Sequence, residues 1–355
     1  MGYVSQKFWD GKKVFITGHS GFKGSWLSVW LTILGARVTG YSLAPDSTNG
    51  ENLFQTLDLP NEIEKSIIGD ILNYEHLVSE MTAACPEVVF HLAAQPLVST
   101  GYYNPKETFS VNALGTSLVL DACAKQSSVQ TIINITTDKV YKNENGSWPH
   151  RETDRLGGFD PYSASKACSE LIAASFHHSF FAPQQINSAT CRAGNVVGGG
   201  DWSEGRLIPD CMRAIRKKTA LKVRNINAVR PWQHVLESLA GYLQAAQYLA
   251  NESDSPFETW NFGPPLTQCC SVGKVLSSLK EIEPSLTWHS ALHTKFNEAE
   301  TLKLDSSKAR TELGWDSKWN LSETLAKTLD WYSSWFDKDD MKIVTRRQIQ
   351  DYMQK

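Results

Sequence analysis

The sequence predicts an α/β fold: a Rossmann-type, doubly wound parallel sheet with a smaller, interleaved α/β lobe. Strand-like and helix-like segments alternate from the start of the chain, a glycine-rich turn follows the first strand, and the alternation loosens after about residue 195. Such alternation is typical of a parallel sheet with helices on both faces. We expect a first domain over 1–190 and a second lobe over 191–340, with some segments returning to the first domain. A charged tail, partly ordered or in an oligomer contact, is expected over 341–355.

Apolar runs and helix signals define the elements of the first half. Strands are expected at 14–17, 37–41, 66–68, 87–92, 131–136 and 186–192. The helices between them are expected at 26–34, 74–84, 105–125 and from 161 onward. Gly35 closes the first of these helices, while Pro105 and Pro161 stand where a first helical residue tolerates proline.

The second half contains more helix than strand. Helices are expected at 209–218, 236–250, 272–282, 306–313 and 321–336, with short strands near 221–223, 259–262 and 301–304. Because these strands are short and irregularly spaced, we expect a smaller lobe that interleaves with the first domain rather than a second complete sheet.

Composition excludes several classes of protein. The chain has 355 residues, of which 41% are hydrophobic, enough for a sizeable core. A net charge of −3 gives no basic field to attract nucleic acid or an acidic membrane, and the longest apolar stretch, 26–34, is too short to span a bilayer. The seven cysteines follow no disulfide or metal-ligand spacing. We expect a cytoplasmic protein with reduced thiols and no metal.

The turn after the first strand carries three glycines, Gly18, Gly21 and Gly24. The first permits a tight turn, the second lets backbone approach a pyrophosphate, and the third allows close packing of helix on strand. Because a helix N-terminus also attracts anions, this turn predicts a dinucleotide site in the first domain. The contacts expected from the turn are Gly18, Ser20, Gly21, Phe22, Lys23 and Gly24.

The end of the second strand favours NAD over NADP only weakly. The acidic residue that often holds the adenosine ribose is missing; Ser42 takes its place, and Asp46 comes a few residues late. No arginine is present there for a 2′-phosphate. Further cofactor contacts are expected after the third and fourth strands, at Asp70, Ile71, Leu92, Ala93 and Ala94.

An acid–base constellation is predicted at the carboxyl ends of the strands. Tyr162 and Lys166 lie four residues apart on one helix face, where a cationic lysine lowers the pKa of the phenol and makes it a usable base. The fifth strand delivers Thr137, Asp138 and Lys139 to the same edge. A simple alcohol dehydrogenase has no need for the Asp–Lys pair, so a second proton-transfer step is expected. The alternative for this pair is a surface ion pair.

Motifs along nearly the whole chain resemble those of the extended short-chain dehydrogenase/reductases. They are GHSGFKGSWL (18–27), HLAAQPLV (91–98), NALGT (112–116), TTDKVY (136–141), DPYSASKACSE (160–170), RAGNVVGGGDW (192–202) and RPWQHVLE (230–237). Within that family the chain resembles the nucleotide-sugar 4,6-dehydratases, and among these the branch that acts on CDP-sugars, because Lys139 stands where the dTDP-sugar branch has glutamate.

The resemblance implies a redox-neutral elimination on CDP-glucose with NAD as the cofactor. Tyr162 would take the proton of the sugar 4-hydroxyl, Thr137 would orient that hydroxyl, and Asp138 would be the acid at the C6 oxygen. Lys139 would either take the C5 proton, which requires a lowered pKa, or stabilise the enolate as a cation. The product would be a 4-keto-6-deoxy sugar nucleotide, used in deoxysugar biosynthesis for a lipopolysaccharide O-antigen.

The resemblance also implies contacts to the sugar nucleotide from the second lobe and from one residue of the first. These are Gln95, Asn195, Trp202, Arg206, Arg230 and His234. Arginine suits phosphate through its bidentate fork, although an interlobe ion pair is the alternative for Arg230. Trp202 suits a core as well as a nucleotide pocket, and His91 is equally well explained as a satisfied core histidine.

Two other functions fit the same fold: a nucleotide-sugar 4-epimerase, which does not need Asp138 and Lys139, and a non-catalytic cofactor sensor, which does not need the proton relay. Relatives pair through a four-helix bundle made from the helices near 105–125 and 161–181, which implies a homodimer and leaves a homotetramer open. Ala113, Leu114, Leu118, Val119 and Ala122 suit such an interface or a core.

Overall fold

The computed structural model describes residues 3–45, 51–144, 146, 148–290 and 299–355. Its strands, in chain order, are β1 Lys13–Thr17, β2 Arg37–Ser42, β3 Lys65–Ile68, β4 Val88–His91, β5 Thr131–Thr137, β6 Asn187–Ala193, β7 Val196–Val197, β8 Leu221–Val223, β9 Val229–Arg230, β10 Gln233–His234, β11 Phe257–Phe262, β12 Cys270–Ser271 and β13 Trp288–Ser290.

The α-helices cover both faces of the sheet and build the second lobe. They are α1 Gln6–Trp9, α2 Phe22–Ile33, α3 Leu53–Thr56, α4 Leu59–Glu62, α5 Tyr74–Ala84, α6 Val98–Tyr103, α7 Pro105–Phe109, α8 Gly115–Ala124, α9 Pro161–Phe176, α10 Leu207–Lys217, α11 Val235–Leu249, α12 Val272–Ile282, α13 Ser307–Leu313, α14 Leu321–Phe336 and α15 Met341–Gln354. No helix in these ranges combines the length and hydropathy needed to cross a bilayer.

The described residues form a central seven-stranded sheet in the order β11-β6-β5-β4-β1-β2-β3, and every pairing in it is parallel. The predicted Rossmann-type fold is confirmed. The chain runs outward from β1 to β3 and then returns to place β4 on the other side of β1. This reversal opens a crevice beyond the carboxyl ends of β1 and β4, which is where ligands bind in open α/β sheets.

The strand expected at 259–262 is β11, which completes the edge of the main sheet by pairing with β6. A segment of the second half thus returns to the first sheet, as the sequence predicts. The strand expected at 301–304 is reduced to isolated bridges, Val229 with Thr301 and His150 with Leu304. The helix expected at 105–125 is interrupted by a π-turn, Ser110–Leu114, which holds the buried Asn112.

The charge of residues 341–355 suggested a partly ordered tail, but the structure has a packed helix there, α15. Met341, Val344, Ile349 and Tyr352 are buried in the main core cluster, because their spacing places them along one face of the helix. The opposite charges pair instead of extending into solvent: Lys342 with Asp58 at 2.9 Å and Arg346 with Glu62 at 2.6 Å. The boundaries of the two domains remain a prediction.

Candidate active site

A cleft of about 1090 Å³ lies beyond the carboxyl ends of β1, β4, β5 and β6. Its walls come from the glycine turn, from the start of α9 and from the segment that leads into α10. Both halves of the chain therefore contribute to one cavity, at the crevice that the sheet order predicts.

The glycine turn has the shape that a dinucleotide requires. Gly18 has a φ of +79°, and a Cβ there would lie 2.7 Å from the backbone nitrogen of Ala93. A Cβ on Gly24 would lie 2.1 Å from the carbonyl oxygen of Gly18. Gly21 is exposed at the start of α2 and has no side chain to cap the helix, so the first amides of α2 remain available to an anion.

Ser42 at the end of β2 belongs to a hydroxyl network. Its Oγ donates to Ser20 Oγ over 2.8 Å and lies 2.9 Å from Nδ1 of His19. Burial lowers the pKa of His19 to about 4, so this ring is neutral, and it packs where a Cβ on Gly40 would lie. Asp46 lies outside the described residues.

Every residue expected to contact the cofactor lines the cleft. The set is Gly18, Ser20, Gly21, Phe22, Lys23, Gly24, Ser42, Asp70, Ile71, Leu92, Ala93, Ala94, Tyr162 and Lys166. These residues surround one elongated space and fit a dinucleotide laid across the strand ends.

The end of β5 forms a compact polar cluster. Thr137 Oγ1 donates to Asp138 Oδ1 over 3.0 Å, and Lys139 Nζ lies 3.2 Å from the same oxygen. Asp138 is fully buried, and within the described residues its Oδ2 has no hydrogen-bond partner. A buried carboxylate with one unpaired oxygen is costly to maintain in the absence of a function, because burial removes its hydration.

Tyr162 faces this cluster from the first turn of α9, which Asp160 caps by accepting from Ser163 N. Burial raises the pKa of Tyr162 to about 12; a hydrogen bond with Thr137 and the charge of Arg206 act in the opposite direction. The phenol is therefore neutral at physiological pH, contrary to the expectation that Lys166 brings its pKa toward neutrality. Desolvation, which sequence spacing cannot reveal, is the largest influence here.

Lys166 lies one helical turn beyond Tyr162, and its Nζ donates to Ile135 O over 2.9 Å. Burial lowers the pKa of Lys166 to about 8, and the carboxylate of Glu170 opposes that shift. The lysine thus remains close to its charged form at neutral pH and lies under the catalytic end of α9.

Thr137 connects the predicted base and the predicted acid. Its side chain bonds to Asp138 and is a hydrogen-bonding partner of Tyr162. Thr137, Lys139, Tyr162 and Lys166 line the cleft, whereas Asp138 lies behind Thr137 and Lys139 and does not itself line it. The five predicted catalytic residues are thus brought together at one strand end, and the acid occupies the inner layer.

Three of the predicted substrate contacts lie in the cleft: Asn195, Arg206 and Arg230. Asn195 Oδ1 is buried, with no hydrogen-bond partner in the described part of the chain. Arg206 pairs with Asp201 at 3.0 Å, and Arg230 Nη1 donates to the carbonyl oxygens of Val229 and Glu300. Their clustering on one wall suits an anionic ligand.

The other three lie outside the cleft lining. Gln95 donates to Leu97 O and Thr108 Oγ1, and so braces its own loop. Trp202 packs against Tyr332 and Trp335. His234 caps α11 by accepting from Leu236 N, and its buried ring lies between Trp26 and Trp319. His91 lies between Thr17 and Thr116 and is a satisfied core histidine.

Sequence reasoning overlooked a buried ion pair next to the site. Glu170, four residues after Lys166, accepts from Arg192 Nε and Nη2 over 2.8 and 2.9 Å and from Thr136 Oγ1 over 2.5 Å. Arg192 also donates to Tyr141 OH over 2.8 Å. The sequence signal that could have pointed to Glu170 was the spacing Tyr-x-x-x-Lys-x-x-x-Glu along the helix. No cluster of three or more metal-ligating side chains occurs among the residues that the structure describes.

Comparison with known proteins gives a family match across most of the chain. The family model of GDP-mannose 4,6 dehydratase matches residues 15–328. CDP-glucose 4,6-dehydratase of Salmonella typhimurium is 43% identical over 356 aligned residues, which cover 99% of this chain and 98% of that protein. dTDP-glucose 4,6-dehydratase of Streptomyces antibioticus is 29% identical and covers 90% of this chain and 92% of its own length.

Solved structures share the fold at lower identity. The epimerase Mth375 of Methanothermobacter thermautotrophicus superimposes with a TM-score of 0.81 at 22% identity, covering 94% of this chain and 95% of that chain. MoeE5, solved in complex with UDP-glucose and NAD, has a TM-score of 0.76 at 24% identity and covers 91% of this chain and 99% of its own.

Proposed function

We propose, from the premise that this chain belongs to the GDP-mannose 4,6-dehydratase family within the extended short-chain dehydrogenase/reductases, that it is a hydro-lyase that converts CDP-glucose to CDP-4-keto-6-deoxyglucose. The full-length similarity to a CDP-glucose 4,6-dehydratase supports the substrate. The observation that carries the reaction is the hydroxyl of Thr137, which links a buried carboxyl group to a phenol at one strand end.

NAD is the cofactor, and when bound it supplies a hydride acceptor for C4 of the sugar, a hydride donor for C6 and the positive charge of the nicotinamide ring. The glycine turn would hold its pyrophosphate with Gly21 and the first amides of α2. Ser42 would face the adenosine ribose in place of a carboxylate.

Tyr162 acts as the base at the 4-hydroxyl. Its pKa of about 12 in the buried site means that the phenol needs additional positive charge before it can hold a negative charge at neutral pH. Lys166, one helical turn away, provides part of that charge. Thr137 holds the phenol in place, since its hydroxyl faces both Tyr162 and Asp138.

Asp138 acts as the acid at the C6 oxygen. Its Oδ2 has no hydrogen-bond partner among the described residues, so this oxygen can present a proton to a leaving hydroxyl. Lys139 is its partner, because its Nζ lies 3.2 Å from Asp138 Oδ1. If the proton that the two groups share lies on Asp138, the neutral amine of Lys139 can accept the C5 proton while Asp138 donates to the C6 oxygen. If it lies on Lys139, the ammonium group can only stabilise the enolate, and the C5 proton needs another acceptor.

Asn195, Arg206 and Arg230 bind the pyrophosphate of the sugar nucleotide. The buried Oδ1 of Asn195 marks an amide whose hydrogen bonds are incomplete in the protein alone. Asp201 orients Arg206 through their contact at 3.0 Å and leaves the remaining guanidinium donors for phosphate oxygens.

A homodimer through the helices on the outer side of the sheet is part of this proposal. Leu114 is 53% exposed and Leu171 is 62% exposed, which favours contact with the same helices of a second copy. Val119 and Ala122, which suited either an interface or a core, are fully buried within the subunit and belong to the core. A tetramer would require further contacts. By resemblance to the related dehydratases, a cytoplasmic location and a role in making deoxysugars for an O-antigen are also part of the proposal.

The experiment that tests the function is incubation of the purified protein with NAD and, in separate reactions, CDP-, dTDP-, UDP- and GDP-glucose. The 4-keto-6-deoxy product is detected by its absorbance in alkali, and we expect it from CDP-glucose alone. Formation of the 4-epimer would establish the epimerase alternative. Turnover of dTDP-glucose would overturn the nucleotide assignment and leave the mechanism intact, and no change in any sugar would favour a cofactor sensor.

A further inference from the structure

Lys23 stands in the glycine turn, but its side chain is directed into the protein. It lines the cleft, and its Nζ donates to the hydroxyl of Tyr242 over 3.3 Å. Tyr242 belongs to α11 and is fully buried. The ammonium group is therefore held on the inner wall of the cleft, between the glycine turn and the catalytic strand end.

A lysine is an unfavourable choice for this position in the protein alone. Lys23 is the second residue of α2, where the helix dipole disfavours a cation. The charged groups that act on its pKa are Arg206 before α10, Lys166 on α9, Lys139 after β5 and the carboxylate of Asp138. Burial, followed by the charge of Arg206, lowers the pKa of Lys23 to about 7.

We propose that Lys23 is a proton-linked anchor of the dinucleotide: it takes up a proton from solvent when the pyrophosphate of NAD binds above the glycine turn. The inference rests on the proposed function only in taking NAD as the dinucleotide. A pyrophosphate carries the negative charge that this cluster of cations lacks, and an opposite charge nearby favours the protonated form of a lysine. Binding and protonation must then reinforce each other.

The sign of the effect follows from the direction of the shift. At pH 6 Lys23 is already protonated in the free protein, so binding requires no further proton. At pH 8 it is mostly neutral when free and charged when NAD is bound, so about half a proton or more is taken up. The affinity for NAD falls as the pH rises above about 7, by a factor that approaches tenfold per pH unit.

Calorimetry of NAD binding, without any sugar nucleotide, tests the proposal. Titrations at pH 8 in phosphate and in Tris, whose ionisation enthalpies differ, report the number of protons taken up. We expect uptake in the unaltered protein and in Tyr242→Phe, and none in Lys23→Met. Lys23→Arg separates charge from proton linkage, because a guanidinium stays protonated: it should bind NAD at pH 8 without uptake.

Two results would overturn the proposal. One is no uptake by the unaltered protein; the other is uptake by Lys23→Met and Lys23→Arg as large as that of the unaltered protein, which would assign the proton to Lys166 or another group. If Lys23→Met fails to fold or to bind, Lys23→Arg still decides the question. ADP-ribose, which has the same pyrophosphate but no nicotinamide, should show the same uptake. Because no turnover is measured, failure of the CDP-glucose assay would not affect this result.

Discussion

Thr137 Oγ1 donates to Asp138 Oδ1 over 3.0 Å, and the same side chain lies in hydrogen-bonding reach of the Tyr162 phenol. One threonine thus spans the oxidation site and the elimination site of the proposed reaction. Asp138 is fully buried next to Thr137, whereas Thr137 and Tyr162 line the cleft. This arrangement makes each step separately testable.

Replacing Asp138 with Asn removes the proposed acid and keeps the shape of the side chain. We expect overall turnover of CDP-glucose to fall by roughly 10²- to 10⁴-fold, the usual contribution of a general acid. Oxidation at C4 should persist, and rapid-mixing absorbance at 340 nm should show the reduced cofactor accumulating. Unchanged turnover would instead identify the protein as an epimerase.

Lys139 is tested by a pair of substitutions, Lys139→Arg and Lys139→Met. An arginine retains the positive charge but cannot accept a proton near neutral pH. If the residue stabilises the enolate, the Arg variant should keep turnover within about tenfold while the Met variant loses roughly 10²-fold or more. Equal loss in both variants would show that Lys139 is the C5 base.

The charge of Lys166 should set the alkaline limit of activity. Burial lowers the pKa of Lys166 to about 8, and Glu170 opposes that shift, so Glu170→Gln lowers the pKa further. Lys166 then loses its proton at a lower pH, and the alkaline limb of log kcat/KM should move to lower pH. Thr136→Val removes another partner of Glu170 but not its charge, so its limb should stay in place.

The same Glu170→Gln substitution leaves the buried guanidinium of Arg192 without its carboxylate. We expect a loss of about 3–5 kcal/mol in the free energy of unfolding, measured by chemical denaturation. A loss below 1 kcal/mol would show that the pair is solvated rather than buried. Activity profiles should therefore be recorded at low temperature, where the variant remains folded.

Glu237 should make stability depend on pH through the C-terminal helix. It accepts from Tyr352 OH over 2.6 Å and from Trp319 N over 2.7 Å, and burial raises its pKa to about 7. The folded protein thus binds this proton more tightly than the unfolded chain, so the contribution of Glu237 declines as the pH rises from about 4.5 to 7.

Glu237→Gln cannot ionise and should lose that slope. Between pH 5 and 7.5, the free energy of unfolding of the variant should improve relative to the unaltered protein by on the order of 2 kcal/mol. Denaturation with urea at the two pH values measures it, and Tyr352→Phe serves as a control that keeps the carboxyl group. Parallel curves for the unaltered protein and Glu237→Gln would contradict the account.

Sequence patterns predicted the sheet and the cofactor end because both depend on local signals. Buried parallel strands are continuous apolar runs. Gly24 is required by a backbone contact within the glycine turn, and Gly18 by its φ of +79°. The clustering of the proposed catalytic residues was also predictable, since the carboxyl ends of parallel strands meet at one edge.

The second-lobe contacts and the pKa of Tyr162 depend on tertiary packing, which no local pattern records. Within 230–237, Arg230 faces the cleft while His234, four residues later, turns into the core between two tryptophans. The path of the backbone through the short strands β9 and β10 determines which of these side chains faces the cleft, and the motif alone does not. The sequence did not predict the burial of α15 for a similar reason. Lys342 and Arg346 form ion pairs with Asp58, just before α4, and with Glu62 in α4.

The most direct test of the central claim, that one cleft carries both the oxidation and the elimination, is the fate of the hydrogen on C4. CDP-glucose labelled with deuterium at C4 is incubated with the protein and NAD, and the product is examined by NMR. The account predicts deuterium in the C6 methyl group of the 4-keto-6-deoxy sugar. Product whose methyl group contains no deuterium, or label recovered only at C4 of an epimer, would contradict it.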